Sequence, residues 1–253
     1  MPLLRLPRIS AQLRATPAAA LADAQRRAAA LDVGAPVSIR LNPRARRLLL
    51  RVDASARNIE LVIPRGVSPE RGLQFLEAQR GWIASRLDAL PPQVLFVEGA
   101  VVPILGVPHT IRHESNPAKP SVAIADREIR VRGEPAHMPR RVRDHLTKLA
   151  RQEVTRRARA YAMQVGRPIA RIGLRDTKSR WGSCSSSGAL SFSWRLILAP
   201  EPVLDYVVAH EVAHLVEMNH SPRFWRLVQT MTPDCATPRA WLKRHRTELF
   251  AYG

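Results

Sequence analysis

Apolar and polar positions alternate through much of residues 35–135. Val37-Ser-Ile-Arg-Leu41 and Asn58–Ile63 place apolar side chains at every second position, and Leu48–Val52 is a short apolar run. A period of two is the mark of a strand buried on one face. Similar runs follow at Val94–Val97, Val101–Leu105, Pro108–Arg112, Val122–Ala125 and Glu128–Val131, and Asp126-Arg127 suits a tight turn between the last two. One helix interrupts them. Ser68 can cap its N-terminus, Pro69 suits its first position, and Leu73, Leu76, Ile83 and Leu87 fall near one face before Pro91-Pro92 stops it.

Beyond residue 135 the period lengthens. Val142, Leu146, Leu149, Val154, Ala158, Tyr161 and Val165 recur near 3.6, which predicts a helix from Pro139 to Val165. Its other face is basic, with Arg140, Arg141, Arg143, Lys148, Arg151, Arg156, Arg157 and Arg159. Ser179–Gly188 reads as a loop by composition. Leu190, Phe192, Trp194, Leu196 and Leu198 then alternate with smaller or polar residues, predicting a strand that would leave Ser191, Ser193 and Arg195 on its outer face. Pro200 ends it, and Pro202 opens a helix reaching about residue 218. Residues 1–34 are rich in Ala, Arg and Pro, with Asp23 the first acid. They read as a poorly ordered extension, with an Ala/Arg helix near 18–30 as the alternative. The expected organisation is α+β: an extension over 1–34, a β-rich N-terminal domain over 35–135, and a second domain over 136–253.

Composition narrows the classes. With 253 residues, 45% apolar and 24% charged, the chain can bury a core without disulfide staples. Cys184 and Cys235 are too few for a disulfide framework and fit a reducing, cytoplasmic setting. No run approaches the ~18 apolar residues of a membrane span. The net charge is +19, carried by 36 Arg and four Lys and spread along the whole chain. Such a field attracts polyanions whatever the function, so weak, salt-sensitive nucleic-acid binding is expected, and the helical Arg face reads as a solvated face or a polyanion-binding ridge.

The chemistry sits on the helix after Pro202, in His210-Glu-Val-Ala-His214. Residues i and i+4 share one helical face, so two imidazoles can grip one metal ion, and Glu211 is placed to reach a metal-bound water rather than the metal. Val207, Val208, Val212, Ala213, Leu215 and Val216 make the rest of this helix apolar. Buried His and Glu there need a partner, and a metal supplies one. A catalytic zinc site takes three protein ligands and keeps one position open. His220 is the stronger third candidate, at a corner made by a left-handed Asn219 and the N-cap Ser221. Glu217, three residues after His214, is the competitor, or an orienting partner of a ligand.

The chain resembles the YgjP-like family of HExxH metalloproteins, relatives of the SprT and WLM zinc proteases. The likeness rests on Arg180-Trp-Gly-Ser-Cys184, Phe192-Ser-Trp-Arg-Leu196, Asp205–His214, Asn219-His-Ser221 and Phe224-Trp225. It implies a zincin-like metallopeptidase domain behind a β-rich part, zinc (Zn2+) held by His210, His214 and His220, and Glu211 as catalytic base.

The expected activity is zinc-dependent hydrolysis of peptide bonds by a zinc-bound water with Glu211 as general base, on peptide or unfolded protein held along the Leu190–Leu198 strand. One alternative is a nucleotide or phosphoanhydride hydrolase of pyrophosphatase type, suggested by the Arg-rich surface and by Arg180, which could hold a carboxylate or phosphate. Another is a nucleic-acid-associated protease acting on DNA-bound protein. Tyr206, one turn before His210, reads as core packing or an oxyanion donor. Cys184 is not expected as a ligand. His109, His113, His137, His145 and His245 lack ligand spacing and read as surface or structural residues.

Overall fold

The computed structural model describes residues 17–53, 57–115, 121–177 and 180–253. Residues 1–16 of the extension and Ser179 of the loop lie outside them. The chain forms two compact units, Met1–Ala89 and Leu90–Gly253.

In the first unit, helix α1 (Pro17–Ala30) precedes strands β1 (Val37–Asn42), β2 (Leu49–Asp53) and β3 (Asn58–Pro64), then helices α2 (Pro69–Ala78) and α3 (Arg80–Asp88). The strand order is β1-β3-β2, with β1 parallel and β2 antiparallel to β3. The helical alternative for residues 18–30 is the one found. Ala24 and Ala28 of α1 are buried with Ile59, Leu61 and Ile63 of β3. Gln25 also donates to the Val37 carbonyl at 2.6 Å and accepts from Ile39 N at 2.7 Å, so its amide serves the backbone of edge strand β1. Ser68 caps α2 by accepting from Arg71 N. The single helix expected after Ser68 breaks at Gln79 into α2 and α3.

The second unit opens with β4 (Val101–Ile104), β5 (Val107–Glu114), β6 (Val122–Ala125) and β7 (Glu128–Arg132), in the order β4-β5-β7-β6. Asp126 and Arg127 both have positive φ, which makes the tight turn between β6 and β7. Val94–Val97 forms no strand, and Val94 makes an isolated bridge to Tyr252. The long helix α4 (Met138–Gln164) follows, burying Val142, Leu146, Ala150, Val154, Ala158 and Ala162 along one i, i+4 stripe. Ile111, Ile129 and Val131 of the four-stranded sheet share one core with that stripe and with Val207, Val208 and Val212. The break between units therefore lies at residues 89–90, not near the expected 135. The first unit is three helices on three strands rather than a β domain, and the second sheet belongs to the core behind the candidate site.

A second three-stranded sheet contains β8 (Arg171–Arg175), β9 (Gly182–Cys184) and β10 (Ala189–Ser193). Its order is β8-β10-β9. Two expectations fail here. Ser179–Gly188 is not all loop, because β9 forms within it. The 190–198 strand stops at Ser193, and Trp194–Leu198 is a 3-10 turn, all five residues buried. Arg195 is not on an outer face. It is 2% exposed, pairs with Asp176 at 3.0 Å, and donates to the carbonyls of Leu249 and Tyr252. The remaining helices are α5 (Glu201–Ala213), α6 (Pro222–Met231), α7 (Ala236–Arg244) and α8 (Arg246–Phe250). No helix among the described residues is long and apolar enough to cross a membrane.

Candidate metal centre

Helix α5 carries His210 and Glu211 and ends at Ala213, earlier than the expected 218. His214 caps it, and the chain tightens through Leu215, Val216 and Glu217, whose N–H groups return to Val212 and Ala213. This turn aims the Glu217 carbonyl at His214 Nδ1, 3.0 Å away. A carbonyl only accepts, so Nδ1 carries the proton and the Nε2 lone pair is left free.

The corner before α6 forms without the expected left-handed Asn219, which is not among the positive-φ residues. Instead the Asn219 side-chain oxygen accepts from Ser221 N at 3.0 Å, an Asx turn that reverses the chain by a side-chain bond. Ser221 then caps α6 by accepting from Phe224 N at 3.3 Å. His220 thus returns toward α5.

One ligand atom each from His210, His214 and His220 lies within 4.8 Å of the others. His210 Nε2 and His220 Nε2 face each other at 3.1 Å. Glu217 contributes its backbone carbonyl to His214 and is not in this cluster, nor is Cys184. Phe224 sits among the imidazoles, with ring centroids 4.9 Å from His210, 4.5 Å from His214 and 4.7 Å from His220. Trp225 stands 5.9 Å from His210 and 5.8 Å from His220, and the Arg239 guanidinium lies over it at 5.5 Å. The sequence signal for Phe224 and Trp225 is their place just after a Ser-Pro helix start, directly behind His220. Arg239 gave no signal.

The electrostatics suit a cation. Burial, with smaller repulsion from His214, His220 and Arg239, lowers His210 to about 4, and burial lowers His214 too. Both shifts favour the neutral ring, the form in which an imidazole binds a metal. His210 Nδ1 is buried with no hydrogen-bond partner, a cost that makes sense if the ring is held from its other nitrogen. Three lone-pair donors converging without an acidic partner fit a divalent metal with nitrogen preference.

Glu211 is 7% exposed. Burial lifts its carboxyl to about 7, with Arg180 pulling weakly the other way. It faces β9: a Cβ on Gly182 would lie 2.5 Å from Glu211 Cγ and 2.6 Å from Oε1. Glycine is what lets the strand pass the carboxylate. Trp181, just before it, stacks on Phe250 with centroids 5.2 Å apart, which anchors this end of the strand. Arg180 lines a hollow of about 440 Å³ with Arg171, Arg175, Ser183 and Cys184. Tyr206 is 6% exposed, its ring 5.9 Å from His210, and belongs to the core. His113 and His245 bond to the carbonyls of Gly133 and Trp241, away from the cluster.

The family model described as the YgjP-like metallopeptidase domain matches residues 46–245. No curated protein matches the chain. Among solved structures, the crystal structure of the metallopeptidase zymogen of Pyrococcus abyssi abylysin is similar, at 23% identity over 38% of this chain and 94% of its own, with a TM-score of 0.33.

Proposed function

The chain belongs to the YgjP-like family and carries its metallopeptidase domain over residues 46–245, and on that premise we propose that it is a zinc-dependent peptidase with Glu211 as general base. The observation that carries this reading is the convergence of the His210, His214 and His220 nitrogens within 4.8 Å, beside a buried carboxylate that is not one of them.

Bound zinc supplies a Lewis acid that lowers the pKa of water toward ~7 and stabilises charge on a carbonyl oxygen. His210, His214 and His220 would hold the ion. The Glu217 carbonyl holds His214 in the tautomer that presents Nε2. Phe224 packs against all three rings and limits their tilt. Glu211 accepts the proton of the attacking water on a carboxylate oxygen and returns it to the leaving amine. Gly182 gives that carboxylate the space to do so.

The place for an extended substrate differs from the sequence expectation. β10 is the central strand, paired with β8 and β9 on its two sides, so it has no free edge. Ser193 N is also occupied, by the Trp181 carbonyl at 2.8 Å. β9 is an edge of this sheet and carries Gly182 against Glu211. A peptide added to β9 by main-chain hydrogen bonds would pass its carbonyls in front of Glu211. Backbone pairing reads little sequence, so the substrates are flexible or unfolded segments.

A second reading, a phosphoanhydride hydrolase, is favoured by one observation. Arg171, Arg175 and Arg180 line the hollow beside β9, and none of the three forms an ion pair among the described residues. Incubating zinc-loaded protein with an unfolded protein and, separately, with a nucleoside triphosphate separates the two. Chelator-sensitive cleavage of the unfolded protein is expected. Phosphate release with the protein substrate left intact would replace the peptidase reading by the second.

A further inference from the structure

Away from the metal centre, the C-terminal half of α4 and the segment leading into β8 enclose a hollow of about 680 Å³. Arg151 and Arg159 stand on its helical bank, eight residues apart and so ~12 Å along the helix axis. Arg167 and Arg171 stand on the opposite bank. All four are exposed, and none has an ion pair or side-chain hydrogen bond among the described residues. Their neighbours on the same helix behave differently: Arg156 and Arg157 are both paired with Glu153. The paired arginines lie toward α5, and Arg151 and Arg159 line the hollow.

The floor is apolar. Ile169 is half-buried there, and Met163 stands at the rim 83% exposed, the most exposed of the large apolar side chains among the described residues. Four cations around an apolar floor repel one another until an anion enters. The lining contains no aromatic ring. Proteins that bind single-stranded nucleic acid use such rings to stack bases, so the lining speaks against that occupant. Guanidinium groups take carboxylates in two-pronged hydrogen bonds, and a flexible thioether accommodates varied aliphatic side chains.

We propose that this hollow is a docking site for acidic segments of protein, binding several Asp or Glu side chains through Arg151, Arg159, Arg167 and Arg171 with an aliphatic side chain against Met163. It requires neither the metal nor Glu211, so it stands or falls apart from the peptidase reading.

The test is fluorescence anisotropy with a labelled peptide of alternating Glu and Leu, its Gln-for-Glu counterpart, and a labelled oligothymidylate. Two double variants carry the same charge change: Arg159→Glu with Arg167→Glu in the hollow, and Arg140→Glu with Arg143→Glu toward the other end of α4. All four positions are exposed, and thermal melts confirm folding; Arg159→Gln with Arg167→Gln replaces the first pair if its melt is lowered. The Glu peptide is expected to bind more tightly than the Gln peptide, and to lose at least ~10-fold in the hollow variant against under ~2-fold in the control. Equal losses in the two variants would mean a diffuse field and overturn the proposal. Equal binding of the Glu and Gln peptides would do the same. Tighter binding of the oligothymidylate, lost selectively in the hollow variant, would assign the hollow to nucleic acid instead.

Discussion

Gly182→Ala isolates the geometry of Glu211. Gly182 is absent from the positive-φ glycines, so alanine is compatible with its backbone. The three atoms nearest to the new methyl all belong to Glu211: Cγ at 2.5 Å, Oε1 at 2.6 Å and Cδ at 2.8 Å. Carbon–carbon contacts are optimal near ~3.5 Å, so the carboxylate or the strand must give way by about 1 Å. Glu211 sits in a packed wall, and overpacking of this kind costs about 1–3 kcal/mol of stability. A shift of about 1 Å in a reacting group costs on the order of 100-fold in rate. The variant is therefore expected to hold its metal, melt somewhat lower, and cleave an unfolded protein about 100-fold more slowly. Glu211→Ala removes Cγ, Cδ and Oε1, all three atoms of the clash. In that background, already slow, adding Gly182→Ala should cost little more, a non-additivity expected of two residues in contact. Metal content by elemental analysis, peptide cleavage rates and thermal melts of the four proteins complete the cycle. Full activity in Gly182→Ala, or additive losses in the double variant, would refute the argument that Gly182 exists to clear Glu211.

His220→Ala should lose most of its metal, whereas Glu217→Ala should keep it, since Glu217 serves His214 through a backbone carbonyl; the reverse outcome would make Glu217 the third ligand. Arg157 is 5% exposed and bound to Glu153, Glu201 and Asp205, and Tyr161 donates to Asp205 at 2.6 Å, so this cluster ties α4 to the start of α5, the helix that carries His210 and Glu211. Arg157→Met should destabilise by about 3 kcal/mol, the low end for breaking a buried pair because Glu201 is mostly exposed, read as a lowered urea midpoint; an unchanged midpoint would remove the cluster from the account.

Local signals in the sequence carried the elements that local chemistry builds. Ser68-Pro69 and Ser221-Pro222 start helices because a hydroxyl acceptor and a fixed φ act within one turn. The stripe from Val142 to Val165 declares α4, and the i, i+4 spacing of His210 and His214 by itself puts both rings on one helical face. What long-range contacts decide was not legible. The alternation of Leu190 to Leu198 runs straight through Ser193, yet the strand ends there, because Arg195 turns inward to the carbonyls of Leu249 and Tyr252, more than fifty residues away. β8 alternates over only two apolar residues, Ile172 and Leu174 in Arg-Ile-Gly-Leu-Arg, too short a signal to declare the strand that makes β10 a centre. The boundary near 135 followed a change of period, but Ile111, Ile129 and Val131 bury against α4 and join both periods in one core. Asn219 made its corner by a side-chain bond where a left-handed backbone was expected, and both routes bring His220 to the same place.

The central claim is that Glu211 moves a proton while three histidines hold the metal. Glu211→Gln keeps the shape and cannot accept the proton. Measured on one preparation, its zinc content should equal that of the unaltered protein, while its rate of cleavage of an unfolded protein falls at least ~100-fold, the usual scale for a general base. Zinc lost together with activity would make Glu211 a ligand or a structural partner, and cleavage at the unaltered rate would contradict the account outright.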